Sequence, residues 1–223
     1  MENAIRFSDD SLAPAVRGFL HSPANSTGDA LILTHGAGSN CNAPLLIALA
    51  ESFAAGGYIT LRCDLPFRQD RPSGPPFPGN AVRDREGLRN AVSSIRKLAS
   101  GRVFLGGHSY GGRQASMLCA AEPDLASGLL LLSYPLHPPR KPEQLRTQHF
   151  PSLKTACLFI HGTRDPFGSV GELKDALLSI PSRTELLIVE GAGHDLGFKG
   201  KTRKVELPER VMTAFTALSG STS

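Results

Sequence analysis

Cysteine is scarce in this chain, and the four present (Cys41, Cys63, Cys119 and Cys157) are scattered. None has C-x-x-C spacing, which argues against a zinc site and against a disulfide-stapled scaffold. Cys63 and Cys157 fall in strand-like segments, where a free thiol behaves as a small apolar side chain. Long apolar runs are missing too: none approaches the roughly 20 residues that a membrane-spanning helix needs. The opening residues Met1-Glu2-Asn3-Ala4-Ile5 lack the basic start and apolar stretch of a secretory signal. The charge excess is small, with 24 Lys and Arg against 20 Asp and Glu, a net +4, and carries no nucleic-acid signature. One basic run, Lys199-Gly200-Lys201-Thr202-Arg203-Lys204, has no interleaved aromatics and reads as a solvated loop. There is no internal repeat, low-complexity tract or linker. What remains is an ordinary composition over 223 residues, enough to bury one sizeable core. The expectation is a single domain over residues 1–223, cytoplasmic, with no nucleic-acid or membrane partner and no stated oligomeric state.

Short apolar runs alternate with helical patterns. Leu31–Thr34, Tyr58–Cys63, Val103–Leu105, Leu129–Leu132, Ala156–Ile160 and Glu185–Val189 read as strands. Pro44–Ala55 reads as a helix, with proline at its first position and Gly56-Gly57 as the stop. In 81–99, Leu88, Val92, Ile95 and Ala99 recur at spacings of four, three and four, which predicts a second helix. A helix-compatible segment runs from Gly112 to Ala121. Ser169-Val170-Gly171-Glu172 resembles a capping box opening a helix through Leu178, and Pro208–Leu218 closes the chain as another. The proline-rich stretch Pro66–Pro78 reads as a loop. Continuous apolar strands alternating with helices imply an α/β fold whose mostly parallel central sheet is buried on both faces. Ligands in such sheets bind beyond the carboxyl ends of the strands. His35, Asp64, Ser109, Asp165 and His194 each follow an apolar strand, which gathers them on one sheet edge.

Within that pattern, Gly107-His108-Ser109-Tyr110-Gly111 has the G-x-S-x-G form between a strand and a helix. The context is that of a nucleophile elbow, a sharp turn that exposes the serine. Flanking glycines fit because the turn leaves no room for a Cβ. A serine hydroxyl needs a base, and the base needs a third group to fix its tautomer. In this architecture the chain order is serine, acid, histidine. His194, in the glycine-rich Gly191-Ala192-Gly193-His194, fits as base better than His161, which precedes any acid. Asp165 in Gly162-Thr163-Arg164-Asp165-Pro166 is the favoured acid, with Asp195 the alternative by proximity. The loop Ser133-Tyr134-Pro135 offers no carboxylate. Two backbone amides should hold an oxyanion: that of Tyr110, after the nucleophile, and that of Ala37 in His35-Gly36-Ala37-Gly38-Ser39. Gly36 and Gly38 let the backbone approach a substrate closely. His35 and His108 lack a second ligand at metal spacing, so no metal and no cofactor is expected. Asp64 and Arg68 either line the pocket or pair with each other. Together, His35, Gly36, Gly38, Arg68 and His108 are candidate substrate contacts.

On these residues the chain resembles the α/β-hydrolase superfamily from about Leu31 to Leu218. Thr34-His35-Gly36-Ala37-Gly38-Ser39, Gly107-His108-Ser109-Tyr110-Gly111-Gly112, Ser133-Tyr134-Pro135-Leu136-His137-Pro138-Pro139 and His161-Gly162-Thr163-Arg164-Asp165-Pro166-Phe167-Gly168 carry a closer resemblance. They are similar to the small single-domain branch that includes dienelactone hydrolases and the group related to regulatory NSL complex subunit 3 and testis-expressed protein 30. The resemblance implies an α/β-hydrolase fold with a minimal cap or none. It also implies serine-hydrolase chemistry by Ser109, Asp165 and His194 on a small ester or thioester. Dienelactone hydrolases use a cysteine where this chain has Ser109. Pocket walls are expected from Pro66–Pro78 and Tyr134–Phe150, with Arg68 or Arg164 available to an anionic substrate. A catalytically silent scaffold with this fold, or an acyltransferase using the same residues, are the competing readings.

Overall fold

The structure, a computed structural model, describes residues 4–198 and 206–220, so the basic run 199–204 lies outside the described residues. Eight strands among them form one sheet. They are β1 (Ile5–Asp9), β2 (Val16–His21), β3 (Ala30–Thr34), β4 (Ile59–Cys63), β5 (Val103–His108), β6 (Leu129–Leu132), β7 (Cys157–Gly162) and β8 (Thr184–Val189). Their order across the sheet is β1-β2-β4-β3-β5-β6-β7-β8. From β4 to β8 all neighbours are parallel, while β1 and β2 pair antiparallel at one edge. Those first two strands escape an apolar-run reading. β1 (IRFSD) is mostly exposed and β2 (VRGFLH) mixes polar and apolar residues.

Successive side chains of a strand point to opposite faces, and here both faces are covered. Ile32, Leu105, Leu129, Leu131 and Phe159 face one side, packed with Leu88, Val92 and Ile95 of α3 (Asn80–Arg96) and Ala115 and Leu118 of α4 (Tyr110–Ala121). Leu31, Leu33, Leu130, Leu132 and Ile160 face the other, packed with α1 (Pro44–Ala55) and α6 (Leu207–Gly220). Each fully buried leucine or phenylalanine contributes about 1.5–3 kcal/mol relative to an exposed one. Continuous apolar strands are therefore a consequence of two cores meeting on one sheet.

The helix boundaries have local causes. Pro44 opens α1, and the chain leaves it through Gly57, whose φ of 94° is left-handed. A Cβ there would lie 2.8 Å from Thr27 Cγ2. Helix α5 (Val170–Leu177) starts on a complete capping box: Glu172 N donates to Ser169 Oγ and Ser169 N donates to the Glu172 carboxylate. The stretch expected to be a loop after β4 instead begins with a short helix, α2 (Pro66–Asp70). Pro66 presets the first helical turn. The expected helix 81–99 ends at Arg96. Between β6 and β7 the only regular piece is a 3-10 turn, Phe150–Ser152, so that connection carries no cap domain.

Candidate active site

Strand β5 delivers the chain to Ser109, and α4 begins at Tyr110. Ser109 sits at φ 52°, ψ −116°, a conformation that costs a non-glycine residue about 1–3 kcal/mol. Its N–H donates to Leu132 O at 2.8 Å, and its carbonyl accepts from Arg113 N at 3.0 Å. The flanking glycines are required by space. A Cβ on Gly111 would lie 2.6 Å from His35 O, and one on Gly107 2.7 Å from Gly112 N.

Strands β7 and β8 supply the other two groups. His194 Nε2 is 2.8 Å from Ser109 Oγ, and its Nδ1 is 2.8 and 3.0 Å from the two oxygens of Asp165. The Asp165 side chain is completely buried, and Phe167 N donates to it at 2.9 Å. A buried carboxylate beside Nδ1 selects the tautomer with its proton there. Nε2 is then a lone pair facing the serine hydroxyl. The Phe167 ring stacks on His194 with centroids 4.2 Å apart. Asp195, adjacent to the base, instead accepts from Gly197 N. His161 is buried, with Nε2 2.7 Å from Gly168 O.

Opposite the elbow, the segment after β3 forms a turn closed by Ser39 N donating to Gly36 O at 3.1 Å. Gly36 packs against the elbow: a Cβ would meet His108 Nδ1 at 3.0 Å and Ser109 Cβ at 3.4 Å. Gly38 lines the cavity, with open space around its would-be Cβ. His35 is fully buried, its Nδ1–H donating to Gly36 O (2.9 Å) and its Nε2 accepting from Leu65 N (3.1 Å). Burial holds its pKa below the ordinary imidazole range. Asp64 approaches that Nε2 at 3.4 Å, but the Leu65 amide already occupies the lone pair, so the ring is neutral. With both nitrogens engaged by the main chain, His35 is a brace for the turn and has no lone pair for a metal.

Two expectations change here, those for Arg68 and for the cavity walls. Arg68 does not reach the substrate space. Its donors go to the carbonyls of Ser39, Ala37, Arg71 and Gly74, and Asp64 takes Cys41 N (2.7 Å) instead of pairing with it. His108 borders the cavity, but its Nε2 is bonded to the His194 carbonyl oxygen. The walls also differ. A cavity of about 290 Å³ is lined by 35–39, by 43–46 at the start of α1, and by His108, Ser109, Phe167, His194, Asp195 and Phe198. Among the described residues, neither the 66–78 stretch nor the 134–150 segment lines it, and no Lys or Arg does. Tyr110 turns its side chain away, donating its hydroxyl to Asp84 at 2.7 Å. Burial pushes both that phenol and the Asp84 carboxyl up. The Tyr110 amide stays at the first turn of α4, where no intrahelical acceptor exists.

A family model described as an alpha/beta hydrolase domain matches residues 27–219. Solved structures share the architecture at low identity. One is an alpha-beta serine hydrolase homologue from Coxiella burnetii (19% identity, 96% of this chain and 98% of that one, TM-score 0.75). Another is a dienelactone hydrolase from Anabaena variabilis (21%, 97% of each chain, TM-score 0.73). A third is a serine hydrolase without a lid from Xanthomonas campestris (14%, 97% and 95%, TM-score 0.70).

Proposed function

The chain belongs to the alpha/beta hydrolase domain family, and from that premise we propose that it is a serine hydrolase of small carboxylic esters or thioesters. The observation that carries this reading is the continuous line from Asp165 through His194 to Ser109 Oγ. His194 Nε2 takes the hydroxyl proton as Oγ attacks the carbonyl carbon. The Ala37 and Tyr110 amides receive the negative charge that develops on the carbonyl oxygen. Asp165 stabilises the imidazolium without taking its proton. The imidazolium then protonates the leaving alcohol or thiol, and the acyl group stays on Ser109. Water, deprotonated by His194, attacks this ester. The acid leaves, and the proton returns to Ser109.

The cavity supports the substrate class. Ala43, Leu45, Leu46, Phe167 and Phe198 give it an apolar wall, which suits a short acyl chain or a compact aromatic acid. Arg164 is exposed and outside the lining, so among the described residues no Lys or Arg borders the cavity. A p-nitrophenyl acetate and butyrate assay, with fluorophosphonate labelling, tests the reading. Wild type should hydrolyse and label, and Ser109→Ala should do neither. Equal rates in the two proteins would overturn the mechanism, and a silent wild type would favour a scaffold with a hydrolase fold.

A further inference from the structure

We propose that Arg68 is a positioning residue for the oxyanion turn, setting the direction of its amides from the side opposite the nucleophile. This rests on the serine-hydrolase reading above. The residue is 6% exposed, and its guanidinium uses four of its five donors on main-chain carbonyls. Nε donates to Ser39 O (2.7 Å), and Nη2 to Ala37 O (3.0 Å) and Gly74 O (2.9 Å). Nη1 donates to Arg71 O (3.1 Å). Two of those acceptors belong to the turn, and the other two anchor the same guanidinium to the chain that follows α2. The Phe67 ring lies 4.9 Å beneath it. Among the described residues, no carboxylate pairs with it at ion-pair distance.

Why this arrangement matters follows from peptide geometry. In a trans peptide the carbonyl and the next N–H point in opposite directions. Pinning Ala37 O to Nη2 therefore fixes the Gly38 N–H. Gly36 O is pinned by His35 Nδ1 and Ser39 N, which fixes the Ala37 N–H in the same way. Arg68 thus fixes the Gly38 amide directly, and it bears on the Ala37 amide through the turn that its bonds to Ala37 O and Ser39 O hold from outside the cavity. Gly36 lies against Ser109 Cβ, so a rotation of this turn is felt beside the nucleophile. The guanidinium also leaves an uncancelled positive charge behind a site where an alkoxide develops, a placement that favours the charged state over the neutral ester. A planar fork can span acceptors on separate segments, whereas an ammonium offers its donors from one point.

The test compares wild type, Arg68→Lys and Arg68→Met in steady-state hydrolysis and in binding of a phenylboronic acid, which adds to Ser109 as a charged tetrahedral adduct. Arg68→Met should lower kcat by roughly 30-fold, with KM within twofold, and weaken boronate binding by a similar factor. Arg68→Lys should recover part of both, leaving about a fivefold loss. Circular dichroism and thermal melting identify which variants are folded. If Arg68→Met does not fold, Arg68→Lys decides alone. A folded variant with unchanged kcat and boronate affinity overturns the inference, as does a loss confined to KM. If wild type itself fails to bind the boronate, the serine-hydrolase reading falls and this inference falls with it.

Discussion

The Nε2 of His108 lies 2.7 Å from the main-chain oxygen of His194, so the residue before the nucleophile holds the backbone of the base. The two rings also lie side by side, centroids 5.0 Å apart and planes tilted by 52°. Nucleophile and base are therefore tied twice, once through Ser109 Oγ and once through this bond. His108→Phe keeps a ring and removes the bond to the carbonyl. It should lower kcat by roughly tenfold to a hundredfold, with little change in melting temperature. Fluorophosphonate labelling rates provide the check, and a variant that labels at the wild-type rate would refute the second tie.

Asp165→Asn should be far more damaging at almost no cost in fold. The amide occupies the same volume, and its oxygen can still accept from Phe167 N. Its NH2 group, however, favours an imidazole that accepts at Nδ1 and carries its proton on Nε2, the wrong tautomer for taking a proton from Ser109. A loss of roughly a thousandfold to ten-thousandfold in kcat is expected, read from steady-state rates on p-nitrophenyl butyrate.

The glycines of the two loops should respond differently to alanine. Gly111→Ala drives a Cβ to 2.6 Å from His35 O, a backbone atom with no room to retreat. A loss of about 3 kcal/mol is expected, measurable by urea unfolding. Gly38→Ala meets nothing within 4 Å and should change stability by less than about 0.5 kcal/mol. Similar destabilisation in the two would mean that the turn is tighter than its geometry indicates.

Acid should weaken the fold through His21. It is 2% exposed and accepts from Arg62 Nε at 2.9 Å, so its Nε2 carries no proton. Burial, with the Arg62 charge, lowers its pKa to about 4. The unfolded chain binds this proton from near pH 6.5, while the folded chain refuses it until about pH 4. Stability therefore falls as pH drops through that window, by on the order of 2 kcal/mol. His149, also lowered to about 4, adds in the same direction. His21→Gln should flatten the slope of unfolding free energy between pH 7 and 4.5, and an unchanged slope would rule His21 out.

How far the sequence carried depends on which interactions leave a pattern in it. The strands from β3 to β8 were legible because each is a mainly apolar run between turn or helix signals, and the meeting of Ser109, Asp165 and His194 at one sheet edge because each follows such a strand. β1 and β2 were not, because an antiparallel edge with one covered face leaves no continuous apolar run. Arg68 and His108 were legible as polar residues near the site but not in what they do. Both bond main-chain carbonyls, and a carbonyl belongs to every residue type, so nothing in the sequence marks the partner. The cavity wall was expected from the segments after β4 and β6, whereas the start of α1 supplies part of it, because the order of elements does not say which helix end leans over the elbow.

That wall has a further consequence. Leu45 and Leu46 stand on α1, outside the hydrogen-bonded line from Asp165 through His194 to Ser109. Substitutions there reshape the room for an acyl chain while the attacking geometry stays as it was, so preference among substrates has latitude to drift. Phe167 lacks that latitude, because the face it turns to the cavity belongs to the same ring that stacks on His194.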